Sequence, residues 1–191
     1  MNELGFQKIS LENWLKPDNL NSIFVRSSEN STETHIITDK ERLADILKTN
    51  LSEKVPIEIH RLYEVARGAI AYGYFFYPLY TLGAEQLFRV AETAVNFKYK
   101  SVNGPKNINT YSKRLEYLEK NNIISSCEKD SFDNIRKLRN ISSHPKNQSI
   151  IMPTRGSTSI RVTRGKVNSK KWSIIAILSN SKLIKDYFFE L

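Results

Sequence analysis

Arg139 and His144 are separated by four residues in the stretch IRKLRNISSHPK, residues 135–146. A guanidinium grips a phosphate through two parallel hydrogen bonds. An imidazole with an ordinary pKa near 6.5 takes up and gives back a proton at neutral pH. Between them Asn140 offers an amide to orient the imidazole or hold a phosphate oxygen, and Ser143 offers a hydroxyl. Arg136, Lys137 and Lys146 flank the group, either as a solvated basic face or as a collar for a phosphate backbone. This set can carry out acid–base chemistry at phosphorus. Metal chemistry has no such footing, because His35, His60 and His144 are scattered and Cys127 is the only cysteine. There is no Gly-rich phosphate loop and no paired-cysteine or His-Glu-x-x-His pattern, so neither metal nor cofactor is expected.

Spacing alone does not bring the pair together. On an unbroken helix, residues five apart diverge by about 140°. Pro145 changes that, because a residue before proline is pushed out of the helical region. The helix is therefore expected to finish around Ser142 or Ser143, and the turn can swing His144 back over Arg139. The same residues also suit a plain helix end. Serine and asparagine terminate helices, and Arg and His are favoured at a C-terminus by the macrodipole. Both readings stand on these six residues.

The preceding sequence must supply the scaffold. "TDKERLADILKTN" predicts a short helix capped at Thr38 or Asp39, with Leu43, Ile46 and Leu47 inward. After Pro56, the apolar residues Ile59, Leu62, Ala66, Ala69, Gly73 and Phe76 form one stripe of a long helix. Pro78 breaks or kinks it, and Gly83, Leu87, Val90, Ala94 and Phe97 continue the stripe on a second helix. Tyr111, Leu115 and Leu118 mark a third helix ended by Asn121 and Asn122. Phe132, Ile135 and Leu138 mark a fourth, which runs into Arg139. Helices with short connections predict a mainly α fold, an antiparallel helical bundle over 55–149. Residues 1–54 read as an irregular lead-in with short helices, one from Ser10 in "SLENWLKP", and "SSENSTET" as a polar loop. Residues 150–191 read as a basic C-terminal segment. There Ile160 and Val162 alternate with polar residues before Gly165, which suggests a small β-hairpin.

Lys+Arg 29 against Asp+Glu 20 gives a net charge of +9 over 191 residues. Eight Lys/Arg and two Asp/Glu put +6 of this in residues 151–191. Such clustering points to an anionic partner, nucleic acid first, with solubility as the plain alternative. Lys170 and Lys171 beside Trp172 would make a single-strand contact, or a solvated face beside a core tryptophan. The longest uncharged run, 17 residues from Gly68 to Ala84, contains one proline, three glycines and four tyrosines. It reads as a buried helical hairpin rather than a membrane span. With no apolar leader at the N-terminus, a cytoplasmic protein is expected.

The aromatic corner "YFFYPLYTLGAEQLFRVAETAV", residues 74–95, followed by "RKLRNISSHP", residues 136–145, resembles the HEPN superfamily (higher eukaryotes and prokaryotes nucleotide-binding). Its members are small helical bundles with an Arg-x4–6-His motif, and the resemblance covers roughly Val55 to Ser149. It implies a metal-independent endoribonuclease of toxin or antiviral-defence type. Arg139 would stabilise the phosphate, His144 would be the general acid–base and Asn140 the polar residue after the arginine. Active members are dimers that set two motifs across one cleft, so a homodimer is implied, with RNA as substrate and an antitoxin or other protein as a further partner. In the family a further helix follows the histidine. Here two prolines and β-type residues follow, so the closing element is displaced to 170–191 or replaced by a basic hairpin. Glu85 and Arg89 lie four apart on the second helix, either as a surface ion pair or with Glu85 fixing a guanidinium of the site. Two other functions fit the same resemblance: a non-catalytic HEPN module that binds nucleotide, nucleic acid or protein, and a structural module whose Arg-His pair caps a helix.

Overall fold

The computed structural model describes residues 6–23, 25–27, 34–142, 152–153 and 160–161. Among these the chain is mainly helical. Its five α-helices are α1 (Asp39–Leu47), α2 (Ile57–Tyr72), α3 (Leu79–Ser101), α4 (Tyr111–Lys120) and α5 (Ser126–Ser142).

Helix starts follow local chemistry. Thr38 caps α1: its Oγ1 accepts from the Glu41 backbone N–H at 3.2 Å, and Glu41 Oε2 accepts from the Thr38 N–H at 2.9 Å. This reciprocal box satisfies two amides that the helix itself cannot. Ser125 and Glu128 repeat it before α5 at 3.3 and 2.9 Å. Pro56 precedes α2, and Thr110 Oγ1 accepts from the Lys113 N–H at the start of α4. Asn122, at φ 56°, turns the chain after α4, in the left-handed region that asparagine tolerates.

The core is built on α3. Helix α2 packs along it, and α4 and α5 lie against it and each other. Ala66, Ala91 and Ala94 are fully buried, so small side chains let the α2 and α3 backbones approach closely. Gly83 shows the limit, because a Cβ there would sit 2.5 Å from Ile70 Cγ1. Ile59, Tyr63, Leu87, Val90, Leu115, Leu118, Phe132 and Ile135 complete one continuous apolar cluster. The stripes read from the sequence are largely this interior. Three of their residues are not: Leu43, Leu47 and Phe97 are each more than two-fifths exposed. On α1 the inward face instead carries Arg42, Asp45 and Ile46. The Arg42 guanidinium lies 5.7 Å from the Tyr80 ring centroid, a cation–π contact that offsets its burial.

The expected short helix at Ser10 is only a turn, with Trp14 N–H donating to the Ser10 carbonyl at 3.1 Å. Nor are the other described residues of the lead-in wholly irregular. A 3-10 turn (Asn19–Ile23) leads to an antiparallel pair, β1 (Val25–Ser27) with β2 (Thr34–Ile36). Charge ties this hairpin to α1: Arg26 pairs with Asp45, and His35 Nε2 lies 2.8 Å from Glu41 Oε1. Alternation was too short there to register as strand. In the C-terminal segment, β3 (Met152–Pro153) pairs antiparallel with β4 (Ile160–Arg161). The expected strand at Ile160 thus pairs with the chain before it; the Gly165 turn and Trp172 lie outside the described residues.

The Glu41 box makes an acid-sensitive link. The Thr38 backbone N–H, then His35, then the Thr38 hydroxyl hold its carboxyl down at about 2, from 4.5. A depressed carboxyl pKa contributes stability above the unfolded value, and this is lost as pH falls through the folded one. Glu41→Gln is therefore expected to melt below the parent at pH 7, with the gap closing between about pH 4.5 and pH 2. Melting curves across that range check it; a gap that does not change with pH would contradict it.

Candidate functional site

Helix α5 brings Arg139 to its last turn, as the sequence requires. Across from it α3 presents Glu92, and Arg139 Nη1 donates to Glu92 Oε2 at 2.9 Å. The carboxylate set on Arg139 is thus Glu92, two helical turns beyond Glu85, the residue offered as an alternative for that role, and about 10 Å further along the axis. Residues 85 and 92 share a face of α3, since seven residues make nearly two full turns. No ion pair joins Glu85 to Arg89 among the described residues, and Arg89 is exposed.

Arg139 and Glu92 border a small open recess together with Phe88, Tyr111, Ile135 and Arg136. With two guanidinium groups on its border, the recess can meet a phosphate at the surface. Both partners of the ion pair are about half exposed, at 47% and 46% of their side chains. An exposed pair of this kind is worth only about 0–1 kcal/mol, so an arriving phosphate can exchange with Glu92 on the guanidinium.

Asp133 organises the next turn of α5. Its Oδ1 accepts from Arg136 Nε at 2.7 Å, and its Oδ2 lies 2.9 Å from Lys137 Nζ. Partial burial opposes its ionisation, but the hydrogen bonds from Arg136 and Lys137 outweigh that and lower its pKa. Arg136 and Lys137 are thereby held on the flank of Arg139, with Lys137 the more exposed. Asn140 is exposed on the same turn.

Tyr111, at the first turn of α4, places its phenol in the recess. Burial, reinforced by the negative charges of Glu92 and Asp133, raises its pKa well above the usual phenol range; Arg136 and Arg139 act the other way. At neutral pH it is a hydrogen-bond donor and not a base. Its hydroxyl donates to the Phe132 carbonyl at 3.5 Å, much longer than the 2.7–2.8 Å typical of hydroxyl donors. A better acceptor entering the recess can therefore draw it away.

The structure thus joins Arg139 and Arg136 in one site and sets Lys137 and Asn140 beside it. It adds Glu92 and Tyr111, which the sequence did not disclose: Glu92 lies off the apolar stripe of α3, and Tyr111 reads as an ordinary inward residue of α4. His144, Ser143, Lys146, Lys170 and Lys171 lie outside the described residues. Among the described residues no three His, Cys, Asp or Glu side chains gather in a metal-binding group, and no helix is long and apolar enough to cross a membrane. No protein-family model matches the sequence, and comparison with curated proteins and with solved structures finds no match.

Proposed function

We propose that this chain is a metal-independent endoribonuclease of the HEPN type, with helices α2 to α5 arranged as the antiparallel bundle of that superfamily. One observation carries the reading. Arg139, the arginine of the Arg-x4-His motif, stands at the end of a helix on an open recess that it shares with Arg136, paired with a half-exposed carboxylate.

In the proposed reaction the ribose 2′-hydroxyl attacks the adjacent phosphorus and gives its proton to His144. As the O5′–P bond breaks, the leaving oxygen takes a proton from an imidazolium. The products are a 2′,3′-cyclic phosphate and a 5′-hydroxyl. Arg139 leaves Glu92 to bind the phosphate oxygens, where charge accumulates in the transition state. The neutral Tyr111 phenol donates to the same oxygens, while Arg136, Lys137 and the basic C-terminal segment track the backbone. A homodimer setting two such recesses across one groove would supply the second imidazole. The setting would be toxin-like or defensive, with a protein antitoxin as its restraint.

The non-catalytic alternative draws on the same ion pair, because Glu92 already satisfies Arg139 without substrate. The two readings separate on total RNA incubated with purified protein in EDTA. The expected result is cleavage with 2′,3′-cyclic phosphate ends, by a species that light scattering shows to be a dimer at tens of micromolar. Intact RNA bound to the protein would favour the non-catalytic module. Cleavage abolished by EDTA would contradict the mechanism.

A further inference from the structure

An open cleft lies between the first turns of α1 and the end of α2. Tyr72, Tyr74 and Phe75 line one wall and Asp39, Lys40 and Leu43 the other. Tyr72 is 64% exposed. Phe75 lies 6.4 Å from Tyr72 and 5.3 Å from Tyr74 between ring centroids, the latter edge-on.

The corner carrying these rings is fixed from behind. Buried Asp18 accepts from the Tyr77 N–H at 3.0 Å, and its own N–H donates to the Tyr74 carbonyl at 2.9 Å. Buried Asn21 donates to that carbonyl at 2.7 Å and accepts from the Tyr80 hydroxyl at 3.1 Å. A Cβ on Gly73 would lie 2.6 Å from the Tyr80 ring, so only glycine lets α2 end this close to α3. Two buried polar residues therefore hold the segment that carries the exposed Tyr72 and the half-buried Tyr74 and Phe75. A preorganised aromatic wall of this kind is suited to stacking.

We propose that this cleft is a stacking site for a nucleobase, with Lys40 on the adjoining phosphate. Planar bases gain from aromatic faces whatever their identity. A chain of net charge +9 attracts the polyanion that carries them. The Asp39 carboxylate, one oxygen of which accepts the Lys40 N–H at 2.8 Å, has a second oxygen for an exocyclic amino group or ribose hydroxyl. The site rests on binding chemistry alone and stands whether or not Arg139 cuts RNA.

Its test uses a labelled 2′-O-methyl oligoadenylate of about ten nucleotides, which lacks the attacking hydroxyl and stays intact. Binding to the full chain is followed by fluorescence anisotropy. Tyr72→Ala is expected to weaken binding about 5- to 150-fold, the range for losing one stacked base, while Tyr72→Phe stays within about twofold. Lys40→Gln should reduce the salt slope by about 0.7, one single-strand phosphate. Competition by adenosine monophosphate would identify a free nucleotide as a sufficient ligand; binding of the oligomer without such competition would place the base within a strand. Parent-like affinity in Tyr72→Ala, equal loss in Tyr72→Phe, or no binding of either probe by the parent would overturn the proposal.

Discussion

RNA cleavage by His144→Ala is expected to fall by about 10²–10⁴-fold, the usual loss when a general acid–base is removed. Arg139→Ala should fall comparably, because it removes the motif's guanidinium, which meets the transition-state charge with two hydrogen bonds. Neither change should unfold the protein. The Arg139–Glu92 pair is half exposed and contributes about 0–1 kcal/mol. A lost helix-end interaction at His144 costs about 1 kcal/mol. Melting curves recorded beside the rates make the comparison decisive. Parent rates in a folded His144→Ala protein would defeat the ribonuclease reading and leave the helix-end reading of the motif. Arg139→Lys is an informative companion, since an ammonium keeps the charge but not the fork. A rate close to that of Arg139→Ala would show that geometry, beyond charge, is needed.

Phe132→Ala is expected to be the most costly of the core changes, by about 3–5 kcal/mol. The ring is fully buried in the cluster with Leu115, Leu118 and Ile135. Against a total stability of about 5–15 kcal/mol, that loss is a large fraction of what holds the fold. Phe97→Ala provides the contrast. The sequence sets Phe97 on an apolar stripe just as it does Phe132, yet the ring is 43% exposed, so its removal should cost less than about 1 kcal/mol. Urea midpoints at unchanged slope measure both. Equal losses for the two would contradict the packing of α5 beneath α4 and against α3.

What the sequence determined by itself was local or periodic. Thr38 capping α1, Pro56 and Pro78 bounding α2 and α3, and Asn121–Asn122 ending α4 act through neighbouring backbone groups, so the order of residues is enough to see them. Helical repeats of apolar residues likewise identified the members of the core, because position around a helix follows from spacing. The Arg139–His144 spacing and its proline were equally plain, as were the flanking cations.

Tertiary structure decided which side of each stripe is covered. Nothing in the spacing of Leu43 or Phe97 distinguishes them from Ile46 or Ala94; only the placement of neighbouring helices does. The acidic partner of Arg139 was hidden for a similar reason. Glu85 and Glu92 share one face of α3, and the choice between them depends on how far along α3 the end of α5 comes to lie, a distance that no local signal encodes. Tyr111 joined the site because α4 leans its first turn against α5, where burial and two nearby carboxylates hold its proton. The uncharged run from Gly68 to Ala84 predicts a buried helical hairpin, yet Tyr72 at the corner is exposed. Asp18 and Asn21, more than fifty residues earlier, fix that corner with its rings turned toward an open cleft. Contacts between such distant parts of the chain arise from the global packing, and that packing made the cleft.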